Sequence, residues 1–300
     1  MIYIFHPYFT APLILLFYIL HNPSSKFLQT ISIFTSFLYF LLATALIPWP
    51  DFGSYWLITL YPTAFIFITI LKIKNFRNLP SHTKISILNI IFLVLKSILL
   101  LFLINETGRY ISTFKTNQHQ TFRIDSPLKG GIFYIHQGGT NQITNYHNSG
   151  YSSKFAMDID KINIFGLLTH RFNKNENPNN YLIFRDTVYA PCCGKIVSVV
   201  DSIKDHGVGS KNNFSVYSNQ IAIDCEGIVI KMLHLHKKTA MVSVFDTVYS
   251  GQPIGLIGNS GFSSRPHLHI EGFISESPNH AVILKFKGFP YPVRNMIYKN

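Results

Sequence analysis

The chain has 300 residues, 47% of them hydrophobic and only 13% charged, which is too apolar for an ordinary soluble domain of this length. Its net charge of +12 is spread thinly, with no clustered basic stripe interleaved with aromatics, so nucleic acid is not an expected partner.

The apolar excess lies in the first third, in four stretches: Tyr3 to Leu20, Phe27 to Ile47, Tyr55 to Leu71 and Ile85 to Ile104. Each approaches the roughly 20 residues that cross a hydrocarbon core, and only the last holds a charge, Lys96. A cleavable signal peptide fits the first stretch poorly, because it lacks a basic leading region and another span follows at once. Pro7 and Pro12 blur its boundaries and leave three spans as the alternative. About four membrane-spanning helices are therefore expected within residues 1–104. Lys26 lies in the first loop and Lys72, Lys74, Arg77 and Lys84 in the third, whereas the second carries only Asp51. The positive-inside rule then puts loops one and three in the cytoplasm and everything after the fourth span outside it. Trp49 and Trp56 flank the outer loop as interfacial anchors would. A bare Lys96 in mid-span costs roughly 2.5 kcal/mol or more, so it is read as paired with a neighbouring helix or protomer.

Residues 105–127 are polar and aperiodic, a linker or a first strand and its connections. From 128 to 300 the pattern is β-rich, with runs at Gly131 to Ile135, Lys195 to Val200, Gln220 to Asp224, Ile228 to Leu235, Pro253 to Ile257, His267 to Phe273 and Ala281 to Phe286. Turn residues separate them and no long amphipathic helix intervenes. The expected architecture is an N-terminal α-helical transmembrane bundle joined to an all-β domain, in an integral protein of a bacterial inner or plasma membrane. The 20 Lys and Arg against 13 Asp and Glu in residues 105–300 make anionic envelope polymers or lipid surfaces the easier partners for that domain. "NKNENPNN", residues 173–180, is a loop by composition. Of the three cysteines, Cys225 is free to bridge to Cys192 or Cys193 outside the cytoplasm, or all three serve as small strand residues.

Two stretches carry candidate chemistry. In "PHLHI" the strand alternation turns His267 and His269 to one face and Leu268 and Ile270 to the other. Two imidazoles on one face is a metal-site geometry, and a catalytic zinc commonly takes three protein ligands. In "NYHNSGYSSKFAMDID" the same alternation sets Ala156, Asp158 and Asp160 on the face opposite Phe155, Met157 and Ile159, with His147 upstream. A second H-x-H, His234 and His236, lies in "KMLHLHKK", where strand alternation again sets both imidazoles on one face.

"YHNSGYSSKFAMDI", "VYAPCCGKIVSV" and the run from "NQIAIDCEGIVIKMLHLHKK" through "GLIGNSG" to "PHLHIEGF" together resemble the lysostaphin-type zinc metallopeptidases, the LytM-domain family of peptidoglycan endopeptidases. The resemblance covers roughly residues 131 to 273. It implies one zinc ion held by His147, Asp158 and His269. It makes His267 the general base and His234 the histidine that steadies the oxyanion. It also implies a structural or substrate-contact role for Asn219, turn and close-packing roles for Gly194 and Gly255, a surface role for His236, and peptidoglycan peptides as substrate. One departure stands out: eleven residues separate His147 from Asp158 where many members have four, which keeps His136 and His170 in view as substitutes for the first ligand.

The expectation is a membrane-anchored zinc endopeptidase acting outside the cytoplasm, with room for a regulatory membrane partner. Two other classes compete. One is a non-catalytic LytM-like activator module, which would lack ligands; the other is a membrane sensor or transporter centred on the helices and Lys96.

Overall fold

The computed structural model describes residues 25–76, 78–81, 87–170, 176–209 and 217–300. The stretch expected as a first span, Tyr3 to Leu20, lies outside these, as do Arg77, Lys84 and the start of the 173–180 loop.

Three helices, rather than four, are long and apolar enough to cross a membrane among the described residues. They are α1 (Lys26–Leu46), α2 (Leu57–Phe76) and α3 (Ile87–Ser112). Ser25 caps α1, its Oγ accepting from the Leu28 amide. Within these helices the hydroxyls of Thr35, Thr44, Thr69 and Thr107 each donate to the carbonyl four residues back, at 2.7–2.8 Å. A hydroxyl spent on its own helix needs no water, which suits a hydrocarbon surrounding. The α1 and α2 helices meet through Phe40 stacked on Phe65, ring centroids 4.2 Å apart. Leu60 and Phe67 on α2 and Ile98 and Leu101 on α3 stay exposed, a surface that water would not favour.

A second compact unit comprises Pro50–Tyr55 together with Ser112–Asn300. Its strands in chain order are β1 (Thr121–Ile124), β2 (Ile132–Gln137), β3 (Met157–Ile162), β4 (Thr187–Tyr189), β5 (Gly194–Val200), β6 (Gln220–Cys225), β7 (Ile228–Leu233), β8 (Thr247–Val248), β9 (Pro253–Leu256), β10 (Leu268–Ile274), β11 (Ser277–Phe286) and β12 (Ile297–Lys299). The main sheet runs β12-β2-β3-β10-β7-β6-β5-β8, all neighbours antiparallel, with β11 on β10 and β1 parallel to β11. Strands β4 and β9 form a separate antiparallel pair. In the stretch 105–127, helix α3 continues to Ser112 and β1 takes Thr121–Ile124.

The register of β3 against β10 sets the functional geometry. Met157, Ile159, Leu268 and Ile270 are all fully buried in one core with Ile221, Ile230 and Met232. Burying them fixes the pairing Leu268↔Ile159 and Ile270↔Met157, which sets His269 directly opposite Asp158 on the other face. Sliding the strands by one residue would expose the whole apolar set.

Cys192 and Cys225 form a disulfide, and Cys193 is the exposed free thiol. Of the two glycines singled out in the sequence, Gly194 fits its close-packing role, since a methyl there would overlap the Asp224 carbonyl. Gly255 does not: its nearest neighbour would be Ile221 Cδ1 at 3.4 Å, an ordinary contact. Gly194→Ala should therefore cost about 1–3 kcal/mol by forcing β5 from β6, while Gly255→Ala should leave stability nearly unchanged. Thermal unfolding of the two variants side by side checks this.

A candidate metal centre and its flanking histidines

Asp158 lies at the middle of the site with 3% of its surface exposed. Its Oδ1 is 3.0 Å from His147 Nε2 and 3.0 Å from His269 Nδ1, and 3.5 Å from His267 Nε2. The Tyr146 hydroxyl donates to Oδ2 at 3.0 Å. Burial alone would push the Asp158 carboxyl up; His147 and His267 override it and hold the group well below the usual carboxylate range.

The longer spacing from His147 to Asp158 is filled by a capped turn. Asn145 precedes the short 3-10 helix Tyr146–Ser149, and its Oδ1 accepts from the His147 amide. The same side chain, fully buried, donates to the carbonyls of Gly139 and Ala156 at 3.1 and 3.0 Å. The His147 turn is thereby tied to the residue that leads into β3.

His147, Asp158 and His269 each offer one nitrogen or oxygen, all within 4.8 Å of one another. Two imidazoles and a carboxylate, converging from a turn and two paired strands, match the donor set of a zinc centre that leaves a coordination position open. The far side of His269 is also supported: its Nε2 lies 3.5 Å from Glu271 Oε2, the outer carboxylate that orients a metal-binding imidazole. Burial would lower the His269 pKa, but Asp158 and Glu271 raise it to about 9. The sequence carries this signal, since His267, His269 and Glu271 share one period-2 face.

His267, just before β10, holds its Nδ1 2.8 Å from the Arg265 carbonyl. A carbonyl only accepts, so Nδ1 carries a proton and Nε2 is the nitrogen turned toward Asp158. His234 behaves alike, with Nδ1 donating to the Ser260 carbonyl at 2.9 Å. Burial, reinforced by His267 and His269, pushes its pKa well below the ordinary value. Its ring centroid is 4.8 Å from that of His267 and 5.8 Å from that of His269.

The second H-x-H does not follow the strand alternation expected of it. Strand β7 ends at Leu233, and His234 takes the left-handed backbone conformation at φ 64°, so the chain turns between the two histidines. His234 enters the site, whereas His236 turns to Asp205, Nδ1 to Oδ2 2.6 Å, and packs on Phe184. The turn that carries "GLIGNSG" is dense here: a methyl on Gly258 would overlap Asp205 and the His236 backbone, and Gly261, at φ 75°, leaves no room beside Ser218. Asn219 is a structural pin, fully buried, donating to the carbonyls of Ile203 and Leu235 and accepting from the Ile203 amide. His136 and His170, the substitute ligands, stand outside the cluster. His136 Nδ1 accepts from Arg265 Nη2 at 3.0 Å, and His170 is exposed, its amide bonded to the Asn180 carbonyl. A cleft of about 150 Å³ opens beside Asp158 and His267, walled by Tyr146, Phe262, Ser263 and Arg265.

Residues 184–279 match the sequence profile of peptidase family M23. That span holds His234, His267 and His269, while His147 and Asp158 precede it. Among solved structures, the chain is similar to the catalytic domain of the antimicrobial peptidase lysostaphin from Staphylococcus simulans, at 24% identity over 36% of this chain and 84% of that one, TM-score 0.25. It is similar to a putative peptidase M23 from Pseudomonas aeruginosa at 14% identity, covering 59% of this chain and 56% of that one, TM-score 0.31. A zinc-containing peptidase from Vibrio cholerae is 25% identical over 33% of this chain and 26% of its own, TM-score 0.25. The chain thus spans about half, or less, of the latter two. No curated protein matches it.

The raised His269 pKa has a measurable sign. A metal must displace that proton, so apparent zinc affinity should fall about tenfold for each pH unit below about 9. In the metal-free protein the same shift stabilises the fold fully below the unfolded pKa of about 6.5, and the contribution is lost as pH rises through about 9. Calorimetric zinc titration at pH 7.5 in buffers of different ionisation enthalpy should register about one proton released per metal. Glu271→Gln should weaken zinc binding roughly 10–100-fold in the same titration.

Proposed function

We propose that this chain, which carries a peptidase family M23 domain over residues 184–279, is a membrane-anchored zinc endopeptidase that cleaves peptide cross-links of peptidoglycan outside the cytoplasm. The observation that carries the reading is the convergence of a complete three-ligand set and two further histidines, His234 and His267, around Asp158. Zinc held by His147, Asp158 and His269 would supply a Lewis acid that polarises a peptide carbonyl and brings the pKa of water toward neutrality.

The protein's own residues supply the proton handling. His267 is the general base, because the Arg265 carbonyl occupies Nδ1–H and leaves Nε2 to take a proton and later deliver it to the leaving amine. The resemblance makes His234 the histidine that steadies an oxyanion. Its bond to Ser260 makes the neutral ring an acceptor at Nε2, so it donates only after gaining a proton. Tyr146 keeps Asp158 oriented through its hydroxyl.

The extracytoplasmic location is supported from two directions. Loop charge favours it. In addition, Pro50–Tyr55 belongs to the same compact unit as Ser112–Asn300, so the loop between α1 and α2 lies on the same side as the β domain. The non-catalytic alternative is disfavoured by the intact ligand set, and the transport alternative rests on Lys96 alone.

The test uses the full chain in detergent, measuring bound zinc and the fragments released from purified peptidoglycan. Wild type should hold one zinc and release peptides. His269→Ala should lose the metal, and His267→Ala should keep it while release falls about 10²-fold or more. Zinc without any release would replace this reading with the binding module, and absence of zinc would end it.

A further inference from the structure

A largely buried cation beside the site belongs to a group that the peptidase reading does not use. Arg265 is two residues before His267, and its side chain is 16% exposed. Its Nη2 donates to Asp160 Oδ2 at 2.8 Å, with Nε 3.5 Å from Oδ1 of the same carboxylate, and Nη1 donates to Asp51 Oδ1 at 2.7 Å. Nη2 also reaches His136 Nδ1 at 3.0 Å. Asp160 is 1% exposed and stands two residues from Asp158 on the same face of β3. The guanidinium therefore forks between a strand of the sheet and a segment more than two hundred residues away in sequence.

That segment is firmly seated within the unit. Ser54 Oγ donates to the Phe165 carbonyl at 2.6 Å, the Tyr55 amide donates to Gly166 O at 2.8 Å, and the buried Tyr55 hydroxyl donates to Asn295 O at 3.2 Å. Gly166, at φ 72°, has no space for a side chain against Tyr55. Asp51 is moreover the only acidic residue in the first 104. Asp51 belongs to the same compact unit as Arg265 and Asp160.

The link from Arg265 to the chemistry is its own backbone. The Arg265 carbonyl accepts from His267 Nδ1 at 2.8 Å, and Ser263 Oγ donates to the same carbonyl at 2.7 Å. Whatever fixes the Arg265 side chain fixes the carbonyl that sets the tautomer and direction of His267.

We propose that Asp51 is a positioning residue of the candidate active site: with Asp160 it clamps Arg265, whose carbonyl aims His267 Nε2 at the metal-ligand cluster. This rests on the peptidase reading for its catalytic consequence and on geometry alone for the clamp.

The experiment compares wild type, Asp51→Asn, Asp51→Glu and Arg265→Lys as full chains in detergent, with Asp51→Asn also placed in the Arg265→Lys background. Lysine keeps a charge for Asp160 but cannot fork to both carboxylates, so the background should still fold. Zinc content, kcat and KM for peptidoglycan fragments, and hydrogen exchange over residues 263–267 are measured. Asp51→Asn should lower kcat about 10–100-fold with KM and zinc unchanged, and Asp51→Glu should restore much of it. In the Arg265→Lys background Asp51→Asn should add nothing. A wild-type kcat for Asp51→Asn, or a loss additive with Arg265→Lys, overturns the proposal. If wild type releases no fragments, the peptidase reading fails and hydrogen exchange decides the clamp. Faster exchange at 263–267 in Asp51→Asn upholds it, and unchanged exchange sinks it.

Discussion

A carboxylate almost wholly removed from water is stable in its ionised form only if its neighbours replace the lost hydration. Asp158 is such a group, and the local structure is organised around it. Three imidazole nitrogens and a phenol hydroxyl reach it within 3.5 Å, delivered by a capped turn, a strand and the residue entering that strand. The two strand-borne members, Asp158 and His269, are placed opposite one another by apolar burial rather than by their own polarity. The apolar face of β3 and β10 sets the register, and the polar face inherits it. The chemistry of the site is in this sense a by-product of burying Met157, Ile159, Leu268 and Ile270.

Around this first carboxylate lies a second layer of paired charges. Glu271 answers His269, and Asp160 with Asp51 answers Arg265. Each pair is mostly buried, and removal of one partner would leave a charge uncompensated where water cannot reach it easily. The two layers share strand β3, since Asp158 and Asp160 point from the same face.

Much of this was legible in the sequence because it rests on period-2 alternation. His269 and Asp158 could be set on one face each from their apolar neighbours, and the β-rich runs mark seven of the twelve strands among the described residues. The same logic failed at His234 and His236, where the strand ends at Leu233 and a left-handed residue redirects the chain. A positive φ at a histidine leaves no mark in sequence of the kind a glycine would. The reach of His147 was likewise invisible, because an eleven-residue interval says nothing of the Asn145 cap that closes it. Asp51 read simply as the uncharged-side exception among loop charges. Its pairing with Arg265 joins elements that no local pattern connects. The first expected span lies outside the described residues, and three helices among those described answer to the hydropathy.

The seating of Pro50–Tyr55 in the β unit makes that unit discontinuous along the chain. Its first piece is separated from the rest by residues 56–111, the α2 and α3 helices. Along the chain, the β domain carries the segment of these two helices as an insertion. During synthesis the first piece finds acceptors for Ser54 and Tyr55 at Phe165 and Gly166 once both helices have been made, but its last acceptor, Asn295, arrives only after nearly two hundred residues beyond them. Closing so long a loop carries an entropic cost that grows only slowly with length, but it imposes an order: the charge clamp on Arg265 is among the last contacts the chain is able to form. Assembly of a complete site is thereby deferred until Arg265 and strand β10 have been delivered.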